Sequence, residues 1–157
     1  MSDADCREEP DVIGGVMGTG TDLWNQCVAR MNNEDWTGFV SLFTSDAVYA
    51  GPNLRYEGRE AIEAHFDEVG KAISDVHYET SLVVEDGDSV IAEWTWRSTQ
   101  TGQVPTALLV HASDDTEIAL THGAINIAGV SVCKIREGKL ASMRDYYDTA
   151  EMMRQLG

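Results

Sequence analysis

Asp145 is the residue of this chain best placed to do chemistry. It lies in the stretch Leu140-Ala141-Ser142-Met143-Arg144-Asp145-Tyr146-Tyr147-Asp148, which follows a tight Arg136-Glu137-Gly138-Lys139 turn and reads as a strand. Side chains on a strand alternate faces. Ala141, Met143, Asp145 and Tyr147 therefore share one face, and Leu140, Ser142, Arg144 and Tyr146 the other. The first face carries one carboxylate among apolar and aromatic neighbours. Burying such a group is costly, and desolvation raises its pKa. That tunes a carboxyl group for acid/base work near neutral pH. The competing reading is a surface ion pair or a solvated strand end.

Two further features accompany Asp145. Trp94 and Trp96 share a face of the long strand from Ser89 to about Thr101, with Val90, Ala92 and Ser98. They form an aromatic wall, either for a ligand or for core or dimer packing. His65 and Phe66 lie on the stripe of a helix containing Ile62, Val69 and Ile73; His65 is either a pocket residue or a packed boundary histidine.

The elements that must hold these residues follow from periodicity. Residues 1–20 are acidic and then Gly-rich and read as a tail; residues 21–157 read as one domain. Thr21 is a candidate N-cap for a helix with Leu23, Trp24, Cys27, Val28 and Met31 on one face. Trp36, Phe39, Val40 and Phe43 predict a second short helix, and Ala47 to Ala50 a short strand. Tyr56-Glu57-Gly58 leads into the third helix. The period then changes to two: Val76, Tyr78, Thr80 and Leu82 alternate with polar residues, and Glu85-Asp86-Gly87-Asp88 signals a hairpin. A long excursion covers about residues 102–123 and could cap a pocket mouth. Ile125 to Ile135 is another strand, and Thr149 caps a closing helix with Met152, Met153 and Leu156. Helices segregated from a mostly antiparallel sheet make an α+β domain. A curved sheet wrapped around a helix leaves a cone, open at one end to a ligand.

Composition narrows the partners. The formal net charge is −16, which opposes binding to nucleic acid and anionic membranes. No apolar run is long enough to span a membrane. The acidic N-terminus has no apolar signal core, so a cytoplasmic location is expected. Cys6, Cys27 and Cys133 form neither a disulfide framework nor a zinc pattern, and His111 and His122 have no partner at ligand spacing, so no metal is expected.

This layout, with Arg136-Glu137-Gly138-Lys139 followed by Arg144-Asp145-Tyr146-Tyr147-Asp148, resembles the SnoaL-like branch of the nuclear-transport-factor-2-like superfamily. Asp46-Ala47-Val48-Tyr49 and Tyr56-Glu57-Gly58-Arg59-Glu60-Ala61-Ile62 support the resemblance. It covers about residues 21–157, apart from the excursion. It implies a cystatin-like α+β cone, homodimerisation through the outer sheet face, and relatives that include polyketide cyclases, limonene epoxide hydrolase and ketosteroid isomerases. Against limonene epoxide hydrolase, Asp145 falls on the acid/base aspartate and Tyr49 on the water-orienting tyrosine. Gly51 stands where that family has an asparagine, and Trp94 and Trp96 stand where it has an arginine and a second aspartate. Attack of water on an epoxide needs both a base and an acid, and tryptophan supplies neither.

The expected function is thus a cofactor-independent enzyme of cyclase or isomerase type on a small apolar molecule. Asp145 is the general acid/base and Tyr49 orients water or a substrate oxygen. Trp94, Trp96, Met143, Tyr147, His65, Phe66 and Asn126 contact substrate, Asn126 only if its amide faces inward. The alternatives are epoxide-type water addition, with Glu93, Asp148 or the excursion supplying a second carboxylate, and a ligand-binding member without turnover.

Overall fold

A computed structural model describes residues 19–104 and 122–156. The expected tail falls outside them but for its last two residues, as do most of the excursion and His111. The elements run α1 (Thr19–Asn32), α2 (Trp36–Val40), β1 (Phe43–Gly51), β2 (Leu54–Glu57), α3 (Arg59–Ala72), β3 (Ile73–Asp86), β4 (Ser89–Gln100), β5 (Ala124–Arg136), β6 (Lys139–Tyr147) and α4 (Thr149–Leu156). They form an α+β domain with a six-stranded sheet in the order β2-β1-β6-β5-β4-β3. Only the β1–β6 pairing is parallel; the other pairings are antiparallel. Among the described residues no helix is long and apolar enough to cross a membrane.

The amphipathic stripes fix the packing. Leu23, Trp24, Cys27 and Met31 of α1 and Ile62, His65, Phe66 and Val69 of α3 are buried at three- and four-residue spacing. α1 is tied to β3 by polar contacts as well. Asn32 Nδ2 donates to the Tyr78 carbonyl at 3.0 Å, and its Oδ1 accepts from the Tyr78 amide at 2.6 Å. Trp24 Nε1 donates to Thr80 Oγ1 at 3.0 Å. Cys27 and Cys133 are free thiols inside the core.

Several local expectations change. Helix α1 starts at Thr19, and Thr21 does not cap it by itself. The Glu85 carboxylate, sixty-odd residues away, accepts from the Gly20 and Thr21 amides at 3.0 Å each. A negative side chain at a helix N-terminus satisfies orphan donors and opposes the dipole. Helix α2 ends at Val40 and Phe43 opens β1, which is longer than the Ala47–Ala50 core of it that sequence suggested. β2 is a strand that sequence left unassigned. Asp148, not Thr149, caps α4, its Oδ1 accepting from the Glu151 amide at 3.1 Å.

Two bulges matter more. In β3 the register slips between Thr80 and Leu82, so strict alternation ends and Leu82 points outward, 55% exposed. In β6 Ile135 pairs with Leu140 but Lys134 pairs with Ser142, which leaves Ala141 as the extra residue. Leu140 therefore turns into the core with Met143, against its expected outward face.

Candidate functional site

Between the concave face of the sheet and α1–α3 lies a cavity with free space of about 70 Å³. That is room for several waters. Phe39, Phe66, Trp94, Trp96, Ile125, Ile127 and Met143 give it an apolar wall, and Met31 and Met152 close it from α1 and α4. Asp145 is the carboxylate of this lining among the described residues.

The β6 bulge sets what surrounds Asp145. With the extra residue taken up at Ala141, Ser131 stands directly opposite Asp145 and Cys133 opposite Met143. Directly opposed residues of an antiparallel pair project to the same face. Without the bulge the turn register would place Val130 there. Tyr49 of β1 stands beside Met143, one diagonal step from Asp145. Four strands thus deliver a connected set. Tyr49 OH donates to Asp145 Oδ2 at 2.8 Å, and Ser131 Oγ donates to Oδ1 at 2.6 Å. Ser131 Oγ in turn accepts from Trp94 Nε1 at 2.8 Å. The indole proton therefore fixes the hydroxyl so that its own proton points at the carboxylate.

A close approach makes room for this. A Cβ on Gly129 would lie 2.5 Å from Trp94 Cη2 and 2.7 Å from the Tyr146 carbonyl oxygen. Trp94 and Gly129 are cross-strand partners, so glycine lets the indole lie flat across β5 and reach Ser131.

Burial raises the Asp145 pKa from 3.8 to about 6, against the opposing pull of the Ser131 and Tyr49 hydroxyls. Its surroundings are acids that stay protonated. Burial, and then the Asp145 charge, raise Tyr49, Tyr78 and Tyr147 above the usual phenol range. Burial likewise pushes Cys27 to about 12 and raises Cys133. Near pH 7 the site can hold one proton on Asp145 or release it, while its neighbours remain neutral.

His65 is buried, with its ring stacked 4.6 Å from Tyr56 and 5.7 Å from Tyr49. Burial lowers its pKa to about 4, so it is a neutral imidazole at neutral pH.

The structure brings Asp145, Tyr49, Trp94, Trp96, Met143, Tyr147, His65 and Phe66 to one cavity. Asn126 does not join them. It is exposed between buried Ile125 and Ile127, which take the inward positions, and its backbone pairs with the Gln155 side chain. Glu93 is exposed on the outer face and bonded to Ser81, and Asp148 caps α4; neither lines the cavity. Ser131 and Tyr78 were missed by sequence reasoning. Tyr78 was legible as an inward aromatic, whereas Ser131 depends on the bulge register. Among the described residues no group of three or more His, Cys, Asp or Glu is arranged to hold a metal ion.

Comparisons with known proteins agree with this fold. Residues 24–143 match the family model of the SnoaL-like domain. Among solved structures, a protein of ketosteroid-isomerase-like fold from Catenulispora acidiphila, in complex with trimethylamine, is similar at 18% identity. It covers 87% of this chain and 92% of its own, with a TM-score of 0.68. An epoxide hydrolase from M. tuberculosis, of the limonene-epoxide-hydrolase-like type, is 15% identical over 88% of this chain and 89% of its own, with a TM-score of 0.66. A candidate polyketide cyclase from Xanthomonas campestris is 17% identical over 88% and 97%, with a TM-score of 0.69. At these identities the likeness establishes the fold. A search among curated proteins finds no match.

Proposed function

The chain belongs to the SnoaL-like domain family, and from that premise we propose that it is a cyclase- or isomerase-type enzyme acting on a small, largely apolar carbonyl compound. The observation that carries the proposal is the Asp145 carboxylate: poised near pH 6, held by two hydroxyls and facing an apolar cavity.

The proposed chemistry is one proton carried out and back. Ionised Asp145 takes a proton from the carbon next to the carbonyl; the C–H electron pair moves to form the enolate. In a ring closure the enolate carbon attacks a second carbonyl carbon of the same molecule. A carbon–carbon bond forms, and the carbonyl π pair becomes an alkoxide. Protonated Asp145 then gives its proton to that alkoxide. In an isomerisation the proton returns to a different carbon. Either route leaves the enzyme unchanged. Trp94 and Trp96 give the substrate flat apolar surfaces, and Tyr49 holds Asp145 in place rather than meeting substrate first.

Epoxide opening by water calls for a second acid; Glu93 and Asp148 do not line the cavity, and the excursion, the other source expected, lies mostly outside the described residues. The two hydrogen bonds that satisfy Asp145 also favour a second reading, a ligand-binding member without turnover. The test is wild type against Asp145→Asn on a panel of cyclisation-prone polyketides and epoxides. A loss of turnover of at least 100-fold with ligand affinity retained supports the enzyme. Tight binding with no turnover in either protein supports the second reading.

A homodimer through the convex face is part of the proposal. Leu82, Val84, Ile91 and Tyr146 are large apolar side chains exposed on it, and such patches usually meet a partner. Sedimentation of wild type against Ile91→Glu measures this.

A further inference from the structure

An enolate needs a donor at its oxygen, supplied in place before charge develops. The Tyr49 hydroxyl and the two tryptophan N–H groups of the cavity are committed elsewhere. Tyr49 OH donates to Asp145, Trp94 Nε1 to Ser131, and Trp96 Nε1 to Ser98 Oγ at 2.8 Å. His65 is different. It lines the same cavity, it is only 5% exposed, and its Nε2 is buried with no hydrogen-bond partner. A buried polar atom left unpaired is costly, and such atoms are rare enough to require an explanation. The ring is not loosely placed. Tyr56 and Tyr49 flank it at 4.6 and 5.7 Å with interplanar angles of 26° and 29°, and Phe66 meets it edge-on. Tyr147 also lines the cavity but is only half-buried, which makes it the rival donor to be tested.

We propose that His65 is the second polar anchor of the cavity, donating a hydrogen bond from Nε2 to a carbonyl oxygen of an otherwise apolar ligand. The proposal deepens the reading of Asp145 as a base and rests on it for its catalytic meaning, although the binding role stands without turnover. Burial keeps the imidazole neutral, and a neutral imidazole can polarise a carbonyl without giving up its proton. The stack with Tyr49, whose hydroxyl holds Asp145, puts donor and base on one rigid wall. The substrate class narrows accordingly. It is a ketone or ester with an enolisable carbon, oxygen toward α3 and α-carbon toward β6.

The experiment uses 1-tetralone and tetralin, a bicyclic ketone and the hydrocarbon of the same shape. Binding is measured by tryptophan fluorescence at pH 8, where Asp145 is ionised, and the carbonyl stretch of bound tetralone by infrared difference spectroscopy. Wild type should prefer the ketone by about tenfold, the worth of one hydrogen bond, and shift its carbonyl stretch to lower frequency. His65→Phe should bind both compounds alike and lose the shift. His65→Gln, which keeps a donor, should recover part of each. Asp145→Asn and Tyr147→Phe should retain the preference. Equal binding of the two compounds by wild type, an unshifted carbonyl, no measurable ketone binding, or loss of the preference in Tyr147→Phe but not in His65→Phe would each overturn the assignment. If His65→Phe fails to fold, His65→Gln against Tyr147→Phe carries the assignment, and an unshifted carbonyl in wild type still overturns it. Failure here leaves Asp145 untouched, since its test is turnover.

Discussion

Asp145 on β6 and Asp46 on the neighbouring β1 are both strand aspartates with two side-chain hydrogen-bond donors, yet their chemistry diverges. Asp46 is solvent-exposed, paired with Arg136 and bonded to Thr44 at 2.9 Å, and these partners hold its carboxyl below the usual range. Asp145 has two neutral hydroxyls and no cation, and burial outweighs them. Number of hydrogen bonds does not separate the two groups. Desolvation does, because it penalises the charged form wherever water is excluded. The exposed carboxylate stays ionised, and the one facing the cavity is a poised acid.

The comparison can be broken most directly at Asp145. Asp145→Asn should lower turnover by about 10²–10⁴, the usual worth of a positioned acid/base group; initial rates on the best substrate of the panel measure it. The same variant should be the more stable protein at high pH. Folded Asp145 keeps its proton up to about pH 6, unfolded only to about 3.8. The stability it contributes is therefore complete below about pH 4 and is lost as pH rises through 6. The difference amounts to roughly 3 kcal/mol. Denaturant unfolding of both proteins at pH 4 and pH 8 should show a gap at pH 8 only.

Gly129→Ala tests the wall that orients Ser131. Its Cβ would collide with the Trp94 ring at 2.5 Å, so urea unfolding should show a loss of about 1–3 kcal/mol. Ser131→Ala sharpens the comparison without a steric clash. Removing a donor to the ionised form raises the Asp145 pKa further, and the rising limb of kcat/KM should move from about pH 6 upward by about one pH unit. A limb that stays in place would mean that the Ser131 hydroxyl does not hold the carboxylate in solution. The smallest effect belongs to Asp46→Asn, which should leave the pH profile and the melting temperature within error, since exposed ion pairs contribute little.

The sequence by itself determined the α+β class, the helix stripes, the β3–β4 and β5–β6 hairpins and the presence of one carboxylate among apolar neighbours in the last strand. These are local properties: a period of 3.6 or 2, and a turn such as Glu137-Gly138, whose two positive φ angles suit glycine. Tertiary structure alone decided who meets Asp145. Ser131 faces it because Ala141 is bulged out of the β5–β6 ladder, and a shift of one residue exchanges the two faces of a strand. The same bulge turned Leu140 inward. Glu85 became the cap of α1 across more than sixty residues. No pattern within one strand or helix carries such facts, because bulge position and long-range capping are set by how separate elements pack, and the depth of burial that moves Asp145 to about 6 exists only once they have packed.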